Sequence, residues 1–153
     1  MSENQKKVWI TGASSGIGRA VAEKFASENW IVAISARRFE LLNELAKKKN
    51  IFSYPMDVTD FVKTQEVFNK IINDLGDIDL CIFCSGTYER KLEKEINVES
   101  MELTMEVNFF GTVNCIKAVE KYFKDRKNGH ISIVSSIAGY RGLPKSSGYG
   151  PSK

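Results

Sequence analysis

A chain of 153 residues is the size of one domain, and a domain of that size can bury roughly 68–70% of its unfolded surface. With 42% hydrophobic and 27% charged residues, it is too apolar for a disordered tail and too poor in cysteine for a disulfide scaffold. The net charge of +3 is spread along the chain, without the dense basic stripe that phosphate backbones require, so nucleic acid is not an expected partner. No apolar run approaches the roughly 18 residues of a membrane span, and the opening MSENQKK is too polar for a signal peptide. A cytoplasmic protein with no membrane partner and three reduced cysteines is expected.

Along the chain, short β-branched or aromatic runs alternate with longer segments whose apolar residues recur at helical spacing. Strands are expected over Val8–Thr11, Ile31–Ser35, Ile51–Met56, Leu80–Phe83 and His130–Ser135, each apolar enough to be covered on both faces. Between them Ile17, Val21 and Phe25 step by four, Leu41, Leu42 and Leu45 form one stripe, and Phe61, Phe68, Ile71, Ile72 and Leu75 form another. The longest connection, Asn97 to Lys127, carries Met101, Met105, Phe109, Val113 and Ile116 and is expected to be one long helix. Lys47–Lys49 fits a solvated helix end. Strands joined by right-handed helical crossovers give an α/β fold, a Rossmann-like, doubly wound parallel sheet occupying residues 1–153 as a single domain. Its ligand would sit beyond the carboxyl ends of the strands, where strand order reverses.

Thr11-Gly12-Ala13-Ser14-Ser15-Gly16-Ile17-Gly18 follows the first strand and leads straight into the first amphipathic helix. Glycines there permit positive φ and close backbone approach to a pyrophosphate, while free N–H groups and the helix dipole favour the anion. Gly12, Ser14, Ser15, Gly16, Ile17 and Gly18 are therefore candidate cofactor-binding residues. The plain alternative is a glycine-rich turn; the strand-to-helix context argues for dinucleotide binding. The end of the second strand reads Ser35-Ala36-Arg37-Arg38. No carboxylate stands there to bind ribose hydroxyls and repel a 2′-phosphate, whereas Arg37, with Arg38 beside it, could clamp one. NADP(H) is thus expected in preference to NAD(H), against the alternative that both arginines only cover an exposed helix start.

Cys81 and Cys84 have the spacing of a redox dithiol or half a zinc site, but both fall in a strand, where period two sends them to opposite faces. Buried free thiols are the better reading, and no metal is expected. Near the end of the chain, Tyr149 and Lys153 are four apart, a spacing that puts both on one face of a helix. An ammonium so placed favours ionisation of a phenol that can exchange a proton with a carbonyl oxygen.

The glycine spacing, with a leading threonine and three residues between the first two glycines, resembles the short-chain dehydrogenase/reductase family. The rest of the pattern is similar in order and spacing over the whole chain. The resemblance implies that Asp57, followed by Val58, meets the adenine and that Gly86 approaches the cofactor. It also implies that Asn108 supports a proton-relay water, Ser136 holds the substrate oxygen, Tyr149 is the acid and Lys153 binds the nicotinamide ribose. As a cap for the helix opened by Phe61, Asp60 or Thr59 fits better than Asp57. The family's Asn-Asn-Ala-Gly is replaced by Phe83-Cys84-Ser85-Gly86, which removes asparagine hydrogen bonds that Ser85 could in part restore. The implied activity is hydride transfer between NADP(H) and a small-molecule carbonyl or alcohol, in a homo-oligomer. Family members continue well past the position of Lys153, so a non-catalytic dinucleotide-binding protein, or an inactive fragment that needs a partner, is the alternative. Residues beyond about Gly139 are expected to be disordered, because Tyr149 to Lys153 supply barely one helical turn.

Overall fold

The computed structural model describes residues 5–88, 96–144 and 146–153. Five parallel strands, β1 (Lys7–Thr11), β2 (Ile31–Ser35), β3 (Ile51–Ser53), β4 (Leu80–Phe83) and β5 (His130–Ile133), lie in the order β3-β2-β1-β4-β5. Strand order therefore reverses between β1 and β4, and the crevice of a doubly wound sheet opens there.

Period-two alternation sorts the side chains of the central strands into two layers. Trp9, Ile31, Ala33, Cys81 and Phe83 face α3 (Phe61–Leu75) and α5 (Gly111–Arg126). Val8, Ile10, Val32, Ile34 and Ile82 face α1 (Gly16–Ser27) and α2 (Phe39–Leu45). Trp9 is fully buried, its ring 5.5 Å from Phe68 and edge-on to Phe83 at 5.8 Å. Its indole N–H donates to Ser35 Oγ at 2.9 Å, which satisfies the one polar atom this large apolar group brings inside.

Coverage on both faces holds for β1, β2 and β4 but not for the two edge strands. All four residues of β5 are exposed or intermediate, and Phe52 of β3 is exposed. β3 is also shorter than expected. The backbone N–H groups of Tyr54 and Met56 still donate to Ile34 and Ala36 carbonyls, with Pro55, which has no N–H, between them.

From residue 98 to residue 126 the connection before β5 is helical throughout, yet it is not one α-helix. After α4 (Val98–Met105) the turn widens to a π-helix over Glu106–Phe110 before α5 resumes. The expected apolar stripe packs inward only in part: Ile116 lies against the core and Met101 and Met105 are half-buried, but Phe109 and Val113 are exposed, and the buried residues are Thr104, Val107, Asn108, Gly111, Cys115, Ala118 and Val119. These small or polar side chains let the helix come close, and Cβ on Gly111 would lie only 2.5 Å from Val58 Cγ2.

Residues 146–153 fold into turns. N–H groups of Gly150, Ser152 and Lys153 donate to the carbonyls of Ser146, Gly148 and Gly150, and Ser146 and Ser152 are buried. The expectation of disorder there overlooked what packs beneath: Ser135 Oγ donates to the Lys153 carbonyl at 2.9 Å, and Gly139 passes so close to that carbonyl that a Cβ would sit 2.6 Å from it.

Candidate functional site

A cleft of about 360 Å³ opens beyond the carboxyl ends of β1, β2 and β4. All eleven residues that the sequence assigns to cofactor binding line it, together with Ala36, Met56, Cys84, Ser85, Val107 and Val134. Gly12 has φ +70° and lies against the end of β4, where a Cβ would fall 2.7 Å from the Cys84 carbonyl. Gly16 has φ +56° with open space where a Cβ would point. Ile17, counted above with the helix's apolar step, is 63% exposed and turned to the cleft; Val21 and Phe25 pack on the core.

The two arginines after β2 behave differently. The Arg38 guanidinium donates to Ser14 Oγ at 2.8 and 3.1 Å and to Ser15 Oγ at 2.5 Å, which fixes a cation over the glycine loop. Arg37 is exposed and reaches Asp57 Oδ2 at 3.8 Å. Asp57 Oδ1 accepts from the backbone N–H and hydroxyl of Thr59, both at 3.0 Å, while Asp60 caps α3 by accepting from Lys63 N–H. Asn114 braces the same loop by donating to the Val58 carbonyl at 3.0 Å.

At the other end of the cleft, Asn108 is buried on the π-turn. Its Oδ1 accepts from Thr87 N–H at 2.7 Å, and its Nδ2 donates to the Thr87 carbonyl and to Ser152 Oγ, both at 2.9 Å. One side chain thus ties the extension of β4 to the turn that carries Tyr149 and Lys153. A Cβ on Gly86 would stand 3.3 Å from both Asn108 Oδ1 and Lys153 Nζ, so the cleft wall, the buried amide and the ammonium converge at this glycine. Lys153 Nζ also lies 5.8 Å from the Tyr149 ring centroid and 3.4 Å from the Val134 carbonyl. Partial burial holds its pKa below the ordinary 10.5. Ser136 caps the 3₁₀ turn Ile137–Gly139 by accepting from Ala138 N–H at 3.2 Å.

Cys81 and Cys115 are buried in the same core layer, where burial pushes the Cys115 thiol up to about 12 and Cys81 well above its usual value. Cys84 instead borders the cleft, half-buried, its pKa raised by burial and drawn back by Lys153. Sequence reading did not single out Thr87, Tyr88 or Ser152. Their places depend on the long-range clamp by Asn108, which has no local pattern.

The family model for short chain dehydrogenase matches residues 6–153. Dehydrogenase/reductase SDR family member 7 of Mus musculus is 34% identical over 155 residues, which cover 95% of this chain and 46% of that protein. 2,3-Dihydro-2,3-dihydroxybenzoate dehydrogenase of Bacillus subtilis is 33% identical over 147 residues, covering 93% and 56%. The chain therefore spans about half the length of these curated relatives. The solved structure of ElxO with NADP bound superimposes with a TM-score of 0.89 at 32% identity, over 97% of this chain and 62% of that one. With its sheet order, glycine loop and tyrosine–lysine turn in one arrangement, and a family match over nearly its whole length, this chain belongs to the short-chain dehydrogenase family.

Proposed function

We propose that the protein is an NADP(H)-dependent oxidoreductase that interconverts a small carbonyl compound and its alcohol. The observation that carries the reading is the convergence at Gly86, where the glycine-loop cleft meets Asn108 and Lys153 within contact distance. A dinucleotide stretched along the cleft would reach the Tyr149 turn with its reactive end.

The residues present fit such a group. Gly12 and Gly16 keep the loop free of side-chain bulk, and the N-terminus of α1 opens directly beneath it. Arg38, already oriented by two serine hydroxyls, and Arg37 would hold a 2′-phosphate, and Asp57 would accept from the adenine amino group. The bound cofactor supplies the hydride or takes it up. Tyr149 gives the carbonyl oxygen its proton, Ser136 holds that oxygen, and Lys153 binds the nicotinamide ribose while its charge faces the phenol. Asn108 holds the two halves of the site together and supports the water that feeds protons to Lys153. The same reading makes the protein a cytoplasmic homo-oligomer, for which the exposed Phe109, Phe110 and Val113 offer an apolar helix face. Among the described residues, no helix is long and apolar enough to cross a membrane.

The test is turnover. With NADPH and a panel of aldehydes and ketones, the full-length protein should oxidise the cofactor, and Tyr149→Phe should abolish the reaction while cofactor binding survives. Turnover untouched by Tyr149→Phe would contradict the assignment.

A further inference from the structure

Past β4 the chain runs through Gly86 and Thr87 to Tyr88, whose ring centroid lies 4.5 Å from that of Tyr149, with the planes tilted by 44°. This separation is at the close end of the range in which aromatic pairs attract. Tyr88 is 44% exposed, so it is not simply another core residue. Its backbone is nevertheless anchored, because Asn108 grips the preceding Thr87 by both its N–H and its carbonyl.

Tyr149 itself sits on a short turn. Lys153, the other group over its ring, belongs to the same turn and moves with it. Asn108 registers the backbone of that turn to β4 through Ser152, but it does not touch the phenol. A half-exposed aromatic side chain otherwise samples rotamers on the ps–ns scale. Among the described residues, the ring that ties the phenol to the sheet side of the cleft is Tyr88.

We propose that Tyr88 is a positioning residue that holds the Tyr149 phenol at the mouth of the cleft by ring packing. The proposal rests on Tyr149 being the proton donor. Its contact is made by the ring and not the hydroxyl, so phenylalanine should serve in its place and leucine should not.

The experiment compares Tyr88→Phe, Tyr88→Leu and Tyr149→Phe in the full-length protein. It reads kcat and KM on a carbonyl substrate, NADPH affinity by calorimetry, and the rate of Tyr149 nitration by tetranitromethane, mapped on peptides. Tyr88→Phe should stay within about twofold of wild type, and Tyr88→Leu should lose roughly ten- to a hundredfold in kcat with NADPH affinity unchanged, as expected when a reacting group is slightly misplaced. Nitration of Tyr149 should be faster in Tyr88→Leu only. Wild-type kcat and nitration in Tyr88→Leu would overturn the proposal alone. Loss of NADPH binding together with turnover would also overturn it, by making the role merely structural. Turnover that survives Tyr149→Phe would remove the proton donor and overturn both readings.

Discussion

At the glycine-loop end of the cleft, the backbone is carried by β1, β2 and β4, whose side chains are buried on both faces. At the tyrosine–lysine end it is carried by edge strand β5 and by short turns. The first end is positioned by packing, with Gly12 wedged against the end of β4. The second is positioned by polar contacts from a few side chains, above all Asn108, Ser135 and Ser152. The two ends should therefore fail in different ways: the first through steric overlap, the second through lost hydrogen bonds and changed charge.

The largest expected effect separates two glycines of the same loop. Gly12→Ala puts a Cβ into the Cys84 backbone at 2.7 Å and strains a positive φ, so it should cost roughly 2–5 kcal/mol in urea unfolding. Gly16→Ala has the strain without the overlap and should cost about 1–2 kcal/mol. Its Cβ would point into open space on the cleft, which the proposed function gives to the pyrophosphate, so cofactor affinity should drop even where the fold holds. Equal stability losses at the two positions would break the claim that packing against β4 sets this end.

At the polar end, Asn108→Ala removes three hydrogen bonds and leaves the Thr87 N–H without its partner, an expected loss of roughly 2–4 kcal/mol. Asn108→Asp sharpens the point. It keeps the acceptor for Thr87 N–H but cannot donate to the Thr87 carbonyl or Ser152, so it should fall short of wild type as well. An Asn108→Asp protein as stable as wild type would show that the amide does not join the two pieces.

The smallest effect is a pH dependence at Lys153. Burial lowers its folded pKa below 10.5, so between that lowered value and 10.5 the unfolded state binds more protons and stability rises with pH. Below that window the cost of the buried ammonium is fully present. Lys153→Met abolishes this titration, so its stability advantage over wild type should shrink as urea melts move from neutrality toward pH 10.5. A difference that stays flat would mean that the ammonium is not desolvated in solution.

How much of this was legible in the sequence follows the same division. β2 and β4 end where their apolar runs end, and the glycine loop announces itself by its spacing between strand and helix. The inner face of the helices before β5 did not, because large apolar residues such as Phe109 and Val113 point outward, while Gly111 and Ala118 face the sheet to allow close approach. Hydrophobic periodicity weighs size and misses this. The π-turn over Glu106–Phe110 adds a register change that no local residue marks. Asn108 could be named from resemblance, but its grip on Thr87 and Ser152 joins positions 21 and 44 residues away, beyond any window of pattern reading. Position along the chain favours Arg37 as the phosphate clamp, with Arg38 beside it; only the fold reveals that serine hydroxyls of the glycine loop hold Arg38 and not Arg37.

Calorimetric titration with NADPH and NADH tests most directly the proposal that this cleft takes a dinucleotide bearing a 2′-phosphate. NADPH should bind one to one and more tightly than NADH by about 1.5–3 kcal/mol, the strength of a charge-assisted hydrogen bond, and Arg38→Ala should erase most of that difference. Binding of neither nucleotide, or equal affinities in wild type, would contradict the account.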